Sequence, residues 1–344
     1  MSLRTGIVGL QSVYWPGACA GILKSIPEAE LVACCDMGYD ADLVKISLGT
    51  TPEAFASGQG IKLYHNSTEM IEKEKIQAVC ICAKHTEIVD FVELIAPLGV
   101  DIYMAKPMAT TVESADRIVK AVRDNKIIAT SGTTERFDGS IREAYQRLKN
   151  GEIGDLISIH ALHQHGCIDG FPAGDWYWDM EQGGPEFSLI WYAGDVVRWF
   201  ADSEAIRVYA EYDNYLSPNS PFMDNGKVVM KFANKVMGSI NIYFSVKGFN
   251  FPHYEVELIG TEGAIRVQKN VYEGMIFSKD GSKNFYHIQN NMFMEELKHW
   301  IQCCINKTEP ELTIEDARNV IELCFACRQS ANTHKPITLP YGKE

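Results

Sequence analysis

The apolar run Gly6-Ile7-Val8-Gly9-Leu10 ends in a turn that could cradle a dinucleotide. A Gly-x-Gly-x-x-Gly fingerprint needs glycine at 9, 11 and 14, whereas this sequence has Gly9, Gln11 and Tyr14, with Gly17 as a displaced candidate for the third. The second glycine ordinarily lets the backbone approach the pyrophosphate, so Gln11 alters that contact. Gly9, Leu10, Gln11 and Ser12 are the candidate cofactor contacts of the turn. Asp36 closes the next apolar run, Leu31–Cys35, where a carboxylate can accept both ribose hydroxyls of NAD and would repel the extra phosphate of NADP. NAD is therefore expected, and NADP less so. The bland alternatives are a strand-end Asp that caps a turn, and an α/β frame without a nucleotide.

A third candidate is Ser158-Ile159-His160-Ala161-Leu162-His163-Gln164-His165, in which a period of two puts His163 and His165 on one face. Such a pair could bind a metal or a sugar hydroxyl. No carboxylate stands at a telling spacing, so no metal is expected and His163 is kept as a substrate contact. Trp176 and Trp178 could offer a sugar ring an apolar platform, or could equally be core or interface residues. Ten cysteines occur, most inside apolar runs such as Val79-Cys80-Ile81-Cys82. Cys303-Cys304 with Cys324-x-x-Cys327 is the one metal-like set, but Ala317, Val320, Ile321, Cys324 and Cys327 share a helical face, as a core stripe does. Buried, reduced thiols are the expectation.

The elements that must position these residues alternate in the first part of the chain. Strands are expected at Gly6–Leu10, Leu31–Cys35, Ala78–Cys82, Asp101–Met104 and Ile127–Thr130, with helices at Gly17–Ile26, Thr86–Leu98 and Val112–Asn125. That rhythm predicts βαβ units, a doubly wound parallel sheet, and ligands at the strands' carboxyl ends. From Ala205 to about Ile288 strands follow one another directly, which predicts a mainly antiparallel sheet, and two helices close the chain at Met292–Ile305 and Thr313–Ala331. The expected organisation is a dinucleotide-binding domain over residues 1–130 and an α+β substrate and oligomerisation domain over 131–344, its closing helices packing back towards the first. A length of 344 residues suits two such cores. With 32 Lys+Arg against 45 Asp+Glu the formal charge is −13, a poor match for nucleic acid or anionic lipid. No apolar run approaches the roughly 20 residues of a membrane span, and no signal-peptide pattern opens the sequence, so a cytoplasmic protein is expected.

Met104-Ala105-Lys106-Pro107-Met108-Ala109-Thr110-Thr111, at the fifth strand end, resembles the Glu-Lys-Pro motif of the Gfo/Idh/MocA oxidoreductases. The likeness extends through Arg136-Phe137, Gly151-Glu152-Ile153-Gly154, Gly183-Gly184, Asp195–Phe200 and Ile259–Gly263. It implies hydride transfer between NAD(P) and a sugar, polyol or cyclitol hydroxyl, in a homo-oligomer, dimer or tetramer. Lys106 matches the family lysine beside the nicotinamide and the reacting hydroxyl. Ser188 and Tyr192 stand where members usually have Asp and His, still four apart on one helical face. Some sugar-oxidising members resemble this chain in having Tyr there, so Tyr192 is the second candidate catalytic group and Ser188 a substrate contact. A nearby ammonium such as Lys106 would lower the phenol pKa. Ala105 replaces the family's Glu, and Ala83-Lys84-His85-Thr86 keeps only the spacing of the usual Thr-Pro-Asn loop. Ala83, His85 and Ala105 are nonetheless candidate cofactor contacts. These departures keep two alternatives open: an NAD-dependent glycosidase or eliminating enzyme, and a non-enzymatic ligand-binding protein.

Overall fold

The computed structural model describes residues 2–166, 179–215, 222–246, 254–269, 273–287 and 289–341. The chain forms two compact units. The first comprises Met1–Gly132, the stretch ending at Gly183, and Phe293–Ile321; the second holds the remainder from Thr133 onward.

The first unit begins with β1 (Leu3–Val8), α1 (Trp15–Leu23), β2 (Ala29–Cys35), α2 (Ala41–Leu48), α3 (Pro52–Gln59) and β3 (Lys62–Tyr64). It continues with α4 (Ser67–Glu74), β4 (Ala78–Ile81), α5 (Ile88–Ile95), β5 (Asp101–Met104), α6 (Val112–Asn125) and β6 (Ala129–Ser131). The six strands lie in the order β3-β2-β1-β4-β5-β6, every pairing parallel. The chain leaves β1 towards β2 on one side and β4 on the other, so the turn after β1 opens at the switch point where such sheets bind ligands.

Local sequence sets the element ends. The Thr111 side chain accepts the Ser114 amide at 3.1 Å and starts α6 at the expected residue. Pro16 lies in the first turn of α1, where a missing amide costs nothing, so that helix starts at Trp15 and stops at Leu23 instead of running over Gly17–Ile26. The helix expected to reach Leu98 ends at Ile95 and passes into a 3-10 turn at Ala96–Leu98, because Pro97 has no amide to continue it.

The second unit contains α7 (Gly139–Lys149), β7 (Leu156–Gly166), α8 (Gly184–Ala201), β8 (Ala205–Asp213), β9 (Asn225–Phe232), β10 (Met237–Val246) and β11 (Tyr254–Gly260). Next come β12 (Gly263–Gln268), β13 (Glu273–Ser278), β14 (Gly281–Tyr286), α9 (Met292–Asn306), α10 (Ile314–Thr333) and β15 (Ile337–Thr338). Most of α9 and the start of α10 belong to the first unit. The nine strands of the second unit run β14-β13-β12-β11-β7-β10-β9-β8-β15. All pairs are antiparallel except β7 with β10, which are parallel because α8, β8 and β9 intervene between them in the chain.

Helix α8 is buried along nearly its whole length and packs on β7 and β10. Its Gly194 lets α10 come close: a Cβ there would lie 3.0 Å from Leu323 Cδ2. In the first unit, Leu297, Trp300 and Ile301 of α9 join Ile7, Trp15 and Tyr103 in one core. Tyr103 Oη donates to Glu296 at 2.8 Å, which satisfies a phenol that the core would otherwise strand. The nine cysteines among the described residues are buried free thiols. Among those residues no helix is long and apolar enough to cross a membrane, and no group of three or more His, Cys, Asp or Glu could hold a metal ion.

Candidate active site

Four strand ends of the parallel sheet, those of β1, β2, β4 and β5, carry the candidate cofactor residues of the first unit. Gly9 follows β1 at φ +73°, and a Cβ there would meet Ala83 Cα, Ala83 Cβ and Cys82 O at 3.1 Å each. Only glycine fits under this approach of the β4 end. The same Cys82 carbonyl accepts the amides of Gln11 and Ser12, each at 3.1 Å. The turn is thus closed by the protein's own backbone, with Leu10, Gln11, Ser12 and Ala83 all buried. Anion binding here falls to the first turn of α1, which has no side-chain cap.

Asp36 follows β2 and is buried; its Oδ1 accepts the Gly38 amide at 2.9 Å. His65 Nδ1 lies 2.9 and 3.0 Å from the two carboxylate oxygens. A left-handed glycine under a strand end, an uncapped helix start and a carboxylate at the neighbouring strand end together fit a dinucleotide.

Lys106 follows β5 and is joined to Pro107 by a cis peptide bond. Of the residues Ala105–Ala109 it alone reaches solvent, the rest being buried. The Ala105 amide donates to Ile81 O at 2.9 Å and its methyl belongs to the core, so this residue can offer a ligand backbone only. His85 is buried, and its Nδ1 lies 2.7 Å from the carbonyl of Gln182. A carbonyl only accepts, so Nδ1 carries the proton. Burial pushes the imidazole down to about 3, with the Lys106 ammonium acting in the same direction against the Gln182 carbonyl. His85 is therefore a neutral hydrogen-bonding group beside Lys106. Gln182 holds the loop a second time: its Oε1 accepts the Thr86 amide at 3.1 Å and its Nε2 donates to Thr86 Oγ1 at 2.9 Å.

In the second unit, α8 carries Ser188 and Tyr192, both buried. The His163 ring, on β7, lies edge-on to Tyr192 at 5.4 Å and to Tyr254 of β11 at 5.0 Å between centroids. Tyr254 Oη is buried with no hydrogen-bond partner. Burial first, and then Glu135, Asp195 and Asp138, hold this phenol well above its ordinary pKa. His165 is exposed at the strand end and its ring stacks on Phe244 at 4.8 Å between centroids. Asp195, one turn beyond Tyr192, is wholly buried and accepts from Thr133 Oγ1, from Arg136 Nε at 2.7 Å and from Arg136 Nη2 at 2.6 Å. Those bonds make it the anchor of α8 and leave it no role as a base. Trp176 and Trp178 lie outside the described residues.

Sequence reasoning passed over His65, Gln182 and Tyr254. Gln182 stands immediately before the Gly183-Gly184 turn, and Tyr254 heads an alternating strand; either pattern could have marked them. His65 had no such signal, because β3 has only three residues.

A switch-point turn, a carboxylate and an accessible lysine at the crest of a parallel sheet define a dinucleotide-dependent oxidoreductase framework. Residues 4–133 match the oxidoreductase family with an NAD-binding Rossmann fold, and residues 141–266 match the GFO/IDH/MocA C-terminal domain. The chain belongs to the Gfo/Idh/MocA family of oxidoreductases. It is 24% identical to the myo-inositol 2-dehydrogenase of Thermotoga maritima, over 98% of each chain. It is also 24% identical to the scyllo-inositol 2-dehydrogenase (NAD(+)) of Bacillus subtilis, over 98% of this chain and 96% of that one. The fold is shared with the crystal structure of an aldose-aldose oxidoreductase from Caulobacter crescentus complexed with glycerol, at a TM-score of 0.83 and 17% identity, over 98% of this chain and all of the other (100%).

Proposed function

We propose that this protein is an NAD-dependent dehydrogenase of a ring-shaped polyol, a cyclitol or a sugar, with Lys106 and Tyr192 as its catalytic residues. The observation that carries the reading is Lys106, the one accessible side chain of a buried turn at the crest that also presents Gly9 and Asp36. Bound NAD supplies the group that accepts the hydride. Gly9, the start of α1 and Asp36 hold the dinucleotide; His85, fixed by Gln182, presents a neutral ring beside the lysine. Lys106 Nζ, as the free amine left once the ammonium has given up its own proton to solvent, takes the proton of the reacting hydroxyl and Tyr192 Oη shares that task, while Ser188 and His163 bind neighbouring hydroxyls. The inositol dehydrogenases among the relatives support this substrate class.

The test is absorbance at the reduced nicotinamide band over a panel of inositols, aldoses and alditols. Turnover is expected on at least one, and Lys106→Ala should lower kcat by about 10²- to 10⁴-fold with dinucleotide affinity largely kept. Net hydrolysis without accumulation of NADH would instead favour the glycosidase or eliminating reading, and absence of any dinucleotide binding the non-enzymatic one.

We also infer a cytoplasmic homo-oligomer, dimer or tetramer. Buried free thiols suit a reducing compartment. Val229, Met237 and Ile259 point outward from the large sheet, where Tyr209, Tyr243 and Lys227 line a cleft of about 440 Å³. Sedimentation of the whole protein decides the state.

A further inference from the structure

The parallel pairing of β2 with β3 ends at Cys35 and Tyr64, so the next residues of the two strands, Asp36 and His65, stand side by side at the sheet's crest. The Asp36 amide continues the ladder by donating to Tyr64 O at 3.1 Å. The carboxylate is buried, its side chain 5% exposed, whereas His65 is 68% exposed and bridges both oxygens from the solvent side.

We propose that His65 sets the dinucleotide preference of this chain: as an imidazolium it cancels the Asp36 charge that excludes a 2′-phosphate, so NADP is admitted beside NAD when His65 is protonated and disfavoured when it is neutral. This rests on the assignment of Asp36 to the ribose of a bound dinucleotide. The hydrogen bond to Asp36 first, then the charge of Asp36, and more weakly Glu53 of α3 and Glu69 of α4, raise the His65 pKa above the ordinary histidine value against a small opposing effect of burial. Where His65 is protonated the pair is neutral overall, and where it is not the pair carries a net negative charge; the raised pKa extends the protonated range beyond that of an ordinary histidine. A dianionic 2′-phosphate at this rim meets the difference as Coulomb repulsion, partly screened by salt.

The experiment measures the dissociation constants of NAD and NADP by calorimetry at pH 6.5 and pH 9, for the unaltered protein, His65→Gln and His65→Lys. The 2′-phosphate itself takes up a proton near the lower pH, so His65→Gln, which keeps a donor without a titrating charge, is the reference. On raising the pH, the NADP preference of the unaltered protein should fall about tenfold more than that of His65→Gln, equivalent to about one pKa unit of differential interaction. His65→Lys should keep NADP binding at both pH values. Proton NMR should show the His65 titration moving down towards the ordinary value in Asp36→Asn. Parallel pH courses for the unaltered protein and His65→Gln would overturn the inference. Failure of both dinucleotides to bind at both pH values would instead remove the cofactor assignment, and the inference with it.

Discussion

At the residue scale, the first unit buries a histidine, His85, that stays uncharged near neutral pH. His85 is held near 3 in the folded chain and titrates at its ordinary value when unfolded. As the pH falls, the unfolded state takes the proton first, so stability is full above about 6.5 and declines until about 3. Between pH 7.5 and pH 5 the unaltered protein should lose about 2 kcal/mol more than His85→Asn, measured by urea unfolding at the two pH values. Residues of this kind divide sharply in how legible they are. Lys106 and Asp36 stand at the ends of apolar runs, where type and place together suggest chemistry. The partners that tune them do not: His65 is 29 residues from Asp36, and Gln182 is 97 residues from His85. Only the folded sheet brings those pairs together.

At the element scale, the buried ion pair of Arg136 with Asp195 ties the turn after Thr133 to α8, and thereby fixes the helix that carries Ser188 and Tyr192. Removing one member leaves an uncompensated charge at a site where both side chains are almost wholly buried. Arg136→Ala should cost about 3–5 kcal/mol by denaturant unfolding, more than any surface pair such as Lys120 with Asp124. A similar loss for Asp195→Asn would confirm that the pair, and not the positive charge alone, is responsible. Two helix starts followed from the sequence because a cap stands before a long periodic run: α6 begins behind Thr111, and the Asp316 amide donates to Thr313 Oγ1 at 3.1 Å as α10 starts. Residues 37–77 carry no such regular pattern, because α2, α3 and α4 are each eight residues long and largely exposed. The parallel pairing of β7 with β10 was also hidden, since it joins strands that two others separate in the chain.

At the scale of the whole molecule, the chain order and the packing order differ. Sequence periodicity revealed the parallel sheet and the larger sheet as successive blocks, but the core of the first block is completed by α9, from the far end of the chain. Trp300 is fully buried there and lies 5.6 Å from the Tyr103 ring, which in turn lies 6.1 Å from Trp15. Trp300→Ala should destabilise the first unit by about 3–5 kcal/mol, seen as loss of fluorescence-monitored stability. During synthesis the nucleotide-binding strands emerge before α9, so the apolar surface awaiting Leu297, Trp300 and Ile301 stays uncovered while the large sheet's strands β7 to β14 are made. At about 5–20 residues per second that interval lasts on the order of ten seconds, during which the uncovered surface is open to aggregation.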